Sequence, residues 1–348
     1  MAEPVRGRRP RYQGKNPRSF HEKYKELDPE RYAADIQKVL ASGKTPAGTH
    51  RPIMVDEVLE CLRPAPGELA VDCTLGGGGH ARVILERLQP GGRLIGLDLD
   101  PFELPRTEAC LRAAGFGPET FSTHHVNFAA LPQVLASEGL MAADVIVVDL
   151  GVSSMQLDNP DRGFNYKEPG PLDMRMNPSR GEPASRLIAR LSAAKLADLL
   201  DENADEPHAE FIAGLLKQQP IETTHALESL VRLGLASMDA SLTKADIKLS
   251  VRRTFQALRI AVNDELSVLD SLLRTLPLCL APGGRVAMLA FHSGEDRRVK
   301  KAFQAGHRAG VYSAVAADVI RSTTEELRAN RRAQAAKLRW AVRATYQP

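Results

Sequence analysis

No stretch of this chain stays apolar for the 18 or so residues needed to span a bilayer, and its opening, MAEPVRGRRPRYQGKNPRSF, has no hydrophobic signal core. Neither a membrane protein nor a secreted one is expected, and a cytosolic location is the default. The Arg-rich, acid-poor opening also suits an organelle transit peptide, although Glu3 and two prolines fit that role poorly. Cysteine is scarce: Cys61, Cys73, Cys110 and Cys279 lie far apart with no Cys-x-x-Cys pair, which argues against a zinc cluster and a disulfide framework and for a reducing compartment. No metal site is expected. Internal repeats are absent, and so is the phosphate-binding loop of ATPases, because His80 and Ala81 follow Gly79 where Lys and Ser/Thr would be required.

What is present is an ordinary globular composition, 43% hydrophobic and 26% charged over 348 residues, long enough for one large domain or two. The net charge is only +3, but it is unevenly spread. Residues 1–25 carry eight Lys/Arg against two acids and residues 297–348 carry twelve against three, so the middle is net acidic. Basic ends suit a polyanion, since Lys and Arg that neutralise phosphates release counterions; solvated tails are the plainer reading.

Periodicity gives the order of elements. Short β-rich runs fall at 68–75, 93–100, 124–128, 144–151 and 284–293, and helical patterns separate the first four at 81–88, 103–114 and 131–140. Strands apolar throughout and alternating with helices predict a parallel sheet covered on both faces, an open α/β fold. Residues 156–251 show helices but no convincing strand, which predicts a helical subdomain inserted into a core made of 48–155 and 252–348. Its last helical run, 252–276, leads back to the sheet. The tail pairs VYSAVAADVI with KLRWAVRAT as an antiparallel ribbon, and residues 1–47 read as a flexible basic arm.

Four consecutive glycines, Gly76–Gly79, sit where the first strand turns into the first helix, the place where such sheets bind nucleotide-like ligands. Gly76, Gly78 and Ala81 satisfy G-x-G-x-x-G/A, a pattern NAD enzymes share. Asp98 ends the second strand 19 residues after Gly79, where a carboxylate can accept both hydroxyls of an adenosine ribose; a turn or cap is the alternative beside Asp100-Pro101. Asp72 precedes the loop, so the segment reads Asp-x-Thr-x-Gly-x-Gly and resembles motif I of S-adenosylmethionine methyltransferases. Asp149 ends an otherwise apolar strand, and a buried unpaired carboxylate would be costly unless it served a partner.

A more specific resemblance follows from THRPIMVDEVLECLRP, VDCTLGGGGHARVIL, GLDLDP, HVNFAALP, VDLGVSSMQLDNPDRGFNYKEPGPLDMRMNPS, RRTFQALRIAVNDEL, LAPGGRVAMLAFHSGEDRRVK and AKLRW. These blocks, spanning about His50 to Arg343, are similar to the successive motifs of the RsmH/MraW family of 16S ribosomal RNA methyltransferases. The resemblance implies a Rossmann-like class I methyltransferase sheet, S-adenosylmethionine as cofactor, and N4-methylation of cytidine 1402 in the decoding centre of the small ribosomal subunit. It further implies that Gly78, Gly79 and His80 meet the methionine end of the cofactor, Asp98 its ribose, and Phe128 and Asp149 its adenine side and surroundings, with Gln156 closing the pocket. The inserted region would face the RNA, and a homodimer is compatible with it.

On their own, His80 suits a surface or capping position, Phe128 a core one, and Gln156 carries no signal. Asp149 and Asp173 are the candidates to accept hydrogen bonds from the cytosine amine. Arg162, Phe164, Tyr166 and Arg175 are candidates to hold an unstacked base, with loop packing as the alternative. The chain departs from the family pattern at Gly294, usually Leu, and at NRRAQAAKLR, changes that bear on RNA docking rather than on the cofactor. If the basic arm contacts phosphates, deleting residues 1–45 flattens the salt dependence of ribosome binding, and an equal slope in the truncated and full chains contradicts that role.

Overall fold

The structure is a computed structural model that describes residues 52–345. The basic arm at 1–47 lies outside the described residues. Seven strands, β1 (Leu69–Asp72), β2 (Arg93–Asp98), β3 (Phe121–His125), β4 (Ala143–Asp149), β5 (Leu280–Ala290), β6 (Tyr312–Val315) and β7 (Lys337–Arg343), form one sheet in the order β3-β2-β1-β4-β5-β7-β6. The first five run parallel, and β7 and β6 close the edge antiparallel.

Helices α1 (Val55–Leu62), α2 (Gly79–Leu88), α3 (Glu103–Ala113) and α4 (Leu131–Ser137) belong to the first half. Between β4 and β5 come α5 (Ser154–Asp158), α6 (Ala184–Arg190), α7 (Ala193–Ala204), α8 (Ala209–Leu216), α9 (Thr224–Met238), α10 (Lys244–Asn263) and α11 (Glu265–Cys279). Helices α12 (Ser293–Arg308) and α13 (Thr324–Ala329) follow β5 and β6.

The strands are apolar on both sides because both faces are covered. Val71, Ile95, Ile146, Val148, Val286 and Met288 point into one hydrophobic cluster, whereas Ala70, Leu94, Val145, Val147, Ala287 and Leu289 point into another, the period-two alternation of a sheet between two helical layers. A third cluster, with Leu196, Leu200, Ile212, Leu227, Val231, Val251 and Phe255, lies among the helices between β4 and β5. The only β pairing among the described residues of that stretch is the isolated bridge Pro171–Thr223. A boundary at 251 falls inside α10, which runs without interruption from Lys244 to Asn263.

Two readings of the sequence need correction. The third strand is Phe121–His125, three residues earlier than expected, because the Asn127 side chain accepts the Ala129 N–H and starts a 3-10 turn at Phe128. The polar run Ser-Thr-His-His hides this strand from any apolar pattern. The single helix expected at 252–276 is two helices, broken at Asp264, whose left-handed backbone (φ 52°) ends α10 and begins α11. What matters for function is the register, which brings Asp72, Asp98 and Asp149 to the carboxyl ends of β1, β2 and β4.

Candidate cofactor and acceptor site at the carboxyl edge of the sheet

The glycine turn is built by its own packing. Gly76 and Gly78 have positive φ (47° and 73°); a Cβ on Gly78 would meet Thr107 Cγ2 at 2.7 Å, and one on Gly79 would meet Pro52 at 2.8 Å. The Thr107 hydroxyl donates to the Gly76 carbonyl. Gly77 has nothing within 4 Å of its missing Cβ and is the open point of the turn. Helix α2 starts at Gly79 with no side-chain cap, so its first N–H groups and positive dipole end remain available to a carboxylate-bearing ligand.

Asp98 orders the turn. Its Oδ2 accepts the Gly76 N–H at 2.6 Å and its Oδ1 the Asp100 N–H at 2.8 Å. Each oxygen still has a lone pair, so the residue fits a ribose while bracing the loop. Burial raises its pKa, against the pull of these N–H donors. Phe128 heads the 3-10 turn after β3 and packs, partly buried, against the sheet cluster.

Asp100, only 1% exposed, ties this edge to the segment after β4. Its Oδ1 accepts the N–H groups of Phe102 and Glu103, while Oδ2 accepts Gln156 Nε2 and Arg162 Nη1, both at 2.7 Å. Gln156 is thus held by Asp100 and by the Ser153 N–H through a capping box. Arg162 is committed inward, with Nη2 donating to the carbonyls of Arg175 and Met176. Sequence reasoning passed over Asp100 because Asp-Pro reads as a turn. It missed Glu103 entirely, a residue with no pattern of its own. Burial pushes Glu103 up to about 8, opposed by the Ser153 hydroxyl that donates to it.

The other nominated residues fall in two groups. Phe164 is buried in the helical cluster beneath the Arg162 guanidinium. Tyr166 stacks at a tilt on Phe255, with ring centroids 4.9 Å apart. Asp173 and Arg175 form a two-point ion pair at 2.8 and 2.7 Å. Burial pushes the Asp173 carboxyl up, but the Arg175 hydrogen bonds outweigh it and hold the pKa below the ordinary value. Asp173 therefore stays ionised and paired.

Asp149 is the opposite case. Its Oδ1 is buried without a hydrogen-bond partner, and its Oδ2 lies 3.7 Å from His80 Nδ1, beyond hydrogen-bond distance. The side chain as a whole keeps 29% exposure. Burial, with a contribution from the Glu295 charge, pushes Asp149 up to about 7. His80 is buried; its Nε2 meets the Ile53 carbonyl at 3.0 Å, and since a carbonyl only accepts, the proton sits on Nε2 and Nδ1 faces Asp149. Burial lowers the His80 pKa, opposed by Asp72, which burial in turn raises to about 6.

Beside Asp149, Glu265, His292 and Glu295 bring ligand-type atoms within 4.8 Å of one another. Arg259 already clasps Glu265 at 2.8 Å through both Nε and Nη2. The guanidinium supplies the positive charge this cluster needs, which weighs against a cation there.

These features, a glycine turn, an acid that braces it and a carboxylate ending β4 with one oxygen unpartnered, meet a decisive likeness. The sequence matches the profile of the MraW methylase family over residues 47–344. The chain belongs to the MraW methylase family. It is a methyltransferase. A curated relative in Lachnoclostridium phytofermentans, ribosomal RNA small subunit methyltransferase H 1, is 48% identical, covering 98% of this chain and 94% of its own. Ribosomal RNA small subunit methyltransferase H 2 of Alkaliphilus metalliredigens is 47% identical, covering 98% and 99%. Such coverage leaves few residues unmatched, so most of the segment before residue 47 has counterparts in both relatives.

The raised Asp149 pKa has a sign. Between about pH 4 and 7 the unfolded chain has released this proton while the folded chain retains it, so this residue's contribution to stability falls as pH rises through that window. Asp149→Asn removes the loss. In urea titrations the variant gains on the wild type by about 2 kcal/mol from pH 4 to 7, the partial exposure reducing the full effect; a constant difference contradicts the raised pKa.

Proposed function

We propose that this methyltransferase transfers a methyl group from S-adenosylmethionine to N4 of cytidine 1402 in 16S ribosomal RNA, acting on the small ribosomal subunit in the cytoplasm. The observation that carries the reading is the Asp149 carboxylate, partly exposed and with one oxygen unpartnered, at the carboxyl end of β4 in a member of this family. The relatives' names supply the substrate class.

When bound, S-adenosylmethionine supplies a sulfonium-activated methyl, which passes to the amine as the sulfur departs as a neutral thioether. The residues fit it. The turn at Gly77–His80 and the α2 N-terminus receive the carboxylate of the methionine end, Asp98 the ribose hydroxyls, and Phe128 packs at the adenine side. Gln156, fixed on Asp100, closes the pocket.

Cytosine N4 is a weak nucleophile because its lone pair is delocalised into the ring, so positioning carries much of the rate, on the order of 7–11 kcal/mol. Asp149 accepts an N4–H hydrogen bond, which orients the lone pair, and takes the proton that the methylated nitrogen must lose. A carboxylate with a pKa near 7 takes that proton more readily than an ordinary one. His80 Nδ1 stands ready to share the proton, with Nε2 anchored on Ile53. Asp173 acts at a distance by holding Arg175. The helices of 156–251 face the RNA, with Tyr166 as the nominated platform for a base.

The test is transfer of labelled methyl groups to small ribosomal subunits, followed by nucleoside analysis. N4-methylcytidine is the expected product, and its absence rejects the substrate. With saturating cofactor Asp149→Ala loses about 10²–10⁴-fold in kcat, whereas Asp173→Ala, which frees Arg175, raises KM more than it lowers kcat. Full turnover in Asp149→Ala removes the proton-acceptor role.

A further inference from the structure

Helix α10 carries Lys244, Lys248 and Arg252 at intervals of four residues, all exposed. Residues four apart lie on one face and about 6 Å apart along the axis, so the three charges form a stripe about 12 Å long. Several other helix arginines are held in ion pairs: Arg82 with Glu86, Arg112 with Glu108, Arg190 with Glu182, Arg232 with Glu228 and Arg297 with Asp205. None of the ion pairs among the described residues involves Lys244, Lys248 or Arg252.

The arrangement costs stability twice. Like charges at i and i+4 repel, and Lys244, the first residue of α10, stands at the positive end of the helix dipole, where the Thr243–Asp246 capping box supplies the compensating acid. A stripe that folding alone disfavours has its use in a partner. It runs toward Tyr166, whose phenol Arg252 is close enough to influence, and Tyr166 continues the segment that Arg162 pins to Asp100 at the cofactor edge. Exposed Leu249 lies between Lys248 and Arg252 in the chain and offers apolar contact beside the charges.

We propose that Lys244, Lys248 and Arg252 form a phosphate-contact edge that grips the backbone of the RNA strand as it approaches the carboxyl edge of the sheet. This rests on the reading of ribosomal RNA as substrate. Regular spacing of unpaired cations suits the repeating charge of a nucleic-acid backbone, and the grip is independent of base identity.

The test uses the full chain carrying Lys244→Gln, Lys248→Gln and Arg252→Gln together. Binding to small ribosomal subunits and to naked 16S RNA is measured across a salt series, beside methyl transfer and thermal unfolding. Each lost contact lowers the salt slope by about 0.7–0.9, so the triple variant's slope falls by about 2–3. KM for the subunit rises at least about tenfold, kcat at saturation stays within about twofold, and Tm does not drop. Lys244→Arg with Lys248→Arg retains wild-type binding. An unchanged slope and KM overturn the proposal. So does a loss seen with subunits but not with naked RNA, which would place the contact on a ribosomal protein. If the wild type itself neither binds nor methylates the subunit, the substrate reading fails, and that outcome is separate from equal slopes in two active proteins.

Discussion

A carboxylate taken out of water must find donors or keep a proton, and the carboxyl edge of this sheet satisfies that constraint in several ways. Asp98 takes two backbone N–H groups and in doing so shapes the glycine turn. Asp100 takes Gln156 and Arg162 and thereby fastens the segment after β4 to the carboxyl edge of the sheet. Glu103 keeps its proton against the Ser153 hydroxyl. Asp149 has no donor for its buried Oδ1, and burial, with a contribution from the Glu295 charge, holds its pKa up. Three of these acids brace the edge, and Asp149 is the one to which the proposed chemistry falls.

The proposed function rests on that division. Parallel strands end together, so along the edge Asp98 of β2, the glycine turn after β1 and Asp149 of β4 stand side by side in that order. Asp173, which looked equivalent to Asp149 in the sequence, is neutralised by Arg175 two residues later. Asp149 differs in having its Oδ1 buried without a donor, and the proposed roles of the two acids differ accordingly.

The parallel core was legible because β1, β2 and β4 are buried on both faces and leave continuous apolar runs. β3 was displaced because its residues are mostly polar, and the break at Asp264 was hidden because a left-handed Asp carries no pattern that distinguishes it from a helical one. That Gly78 and Gly79 also make room for Thr107 and Pro52 is invisible in the sequence, because those neighbours come from distant segments. Arg162, a candidate for holding a base, donates to Asp100 and two carbonyls, and Phe164 lies in the helical core. Long-range pairings such as Asp100 with Arg162 leave no trace in local spacing, whereas the basic repeat of α10 is visible in the sequence once the helix is known.

Titration of the Asp149 carboxyl carbon by NMR, in full-length protein labelled at that residue, tests the division most directly. A midpoint near pH 7 is predicted, falling in Glu295→Gln as the neighbouring negative charge is removed. A midpoint near 4 in the wild type would show an ordinary solvated acid and contradict the role given to it.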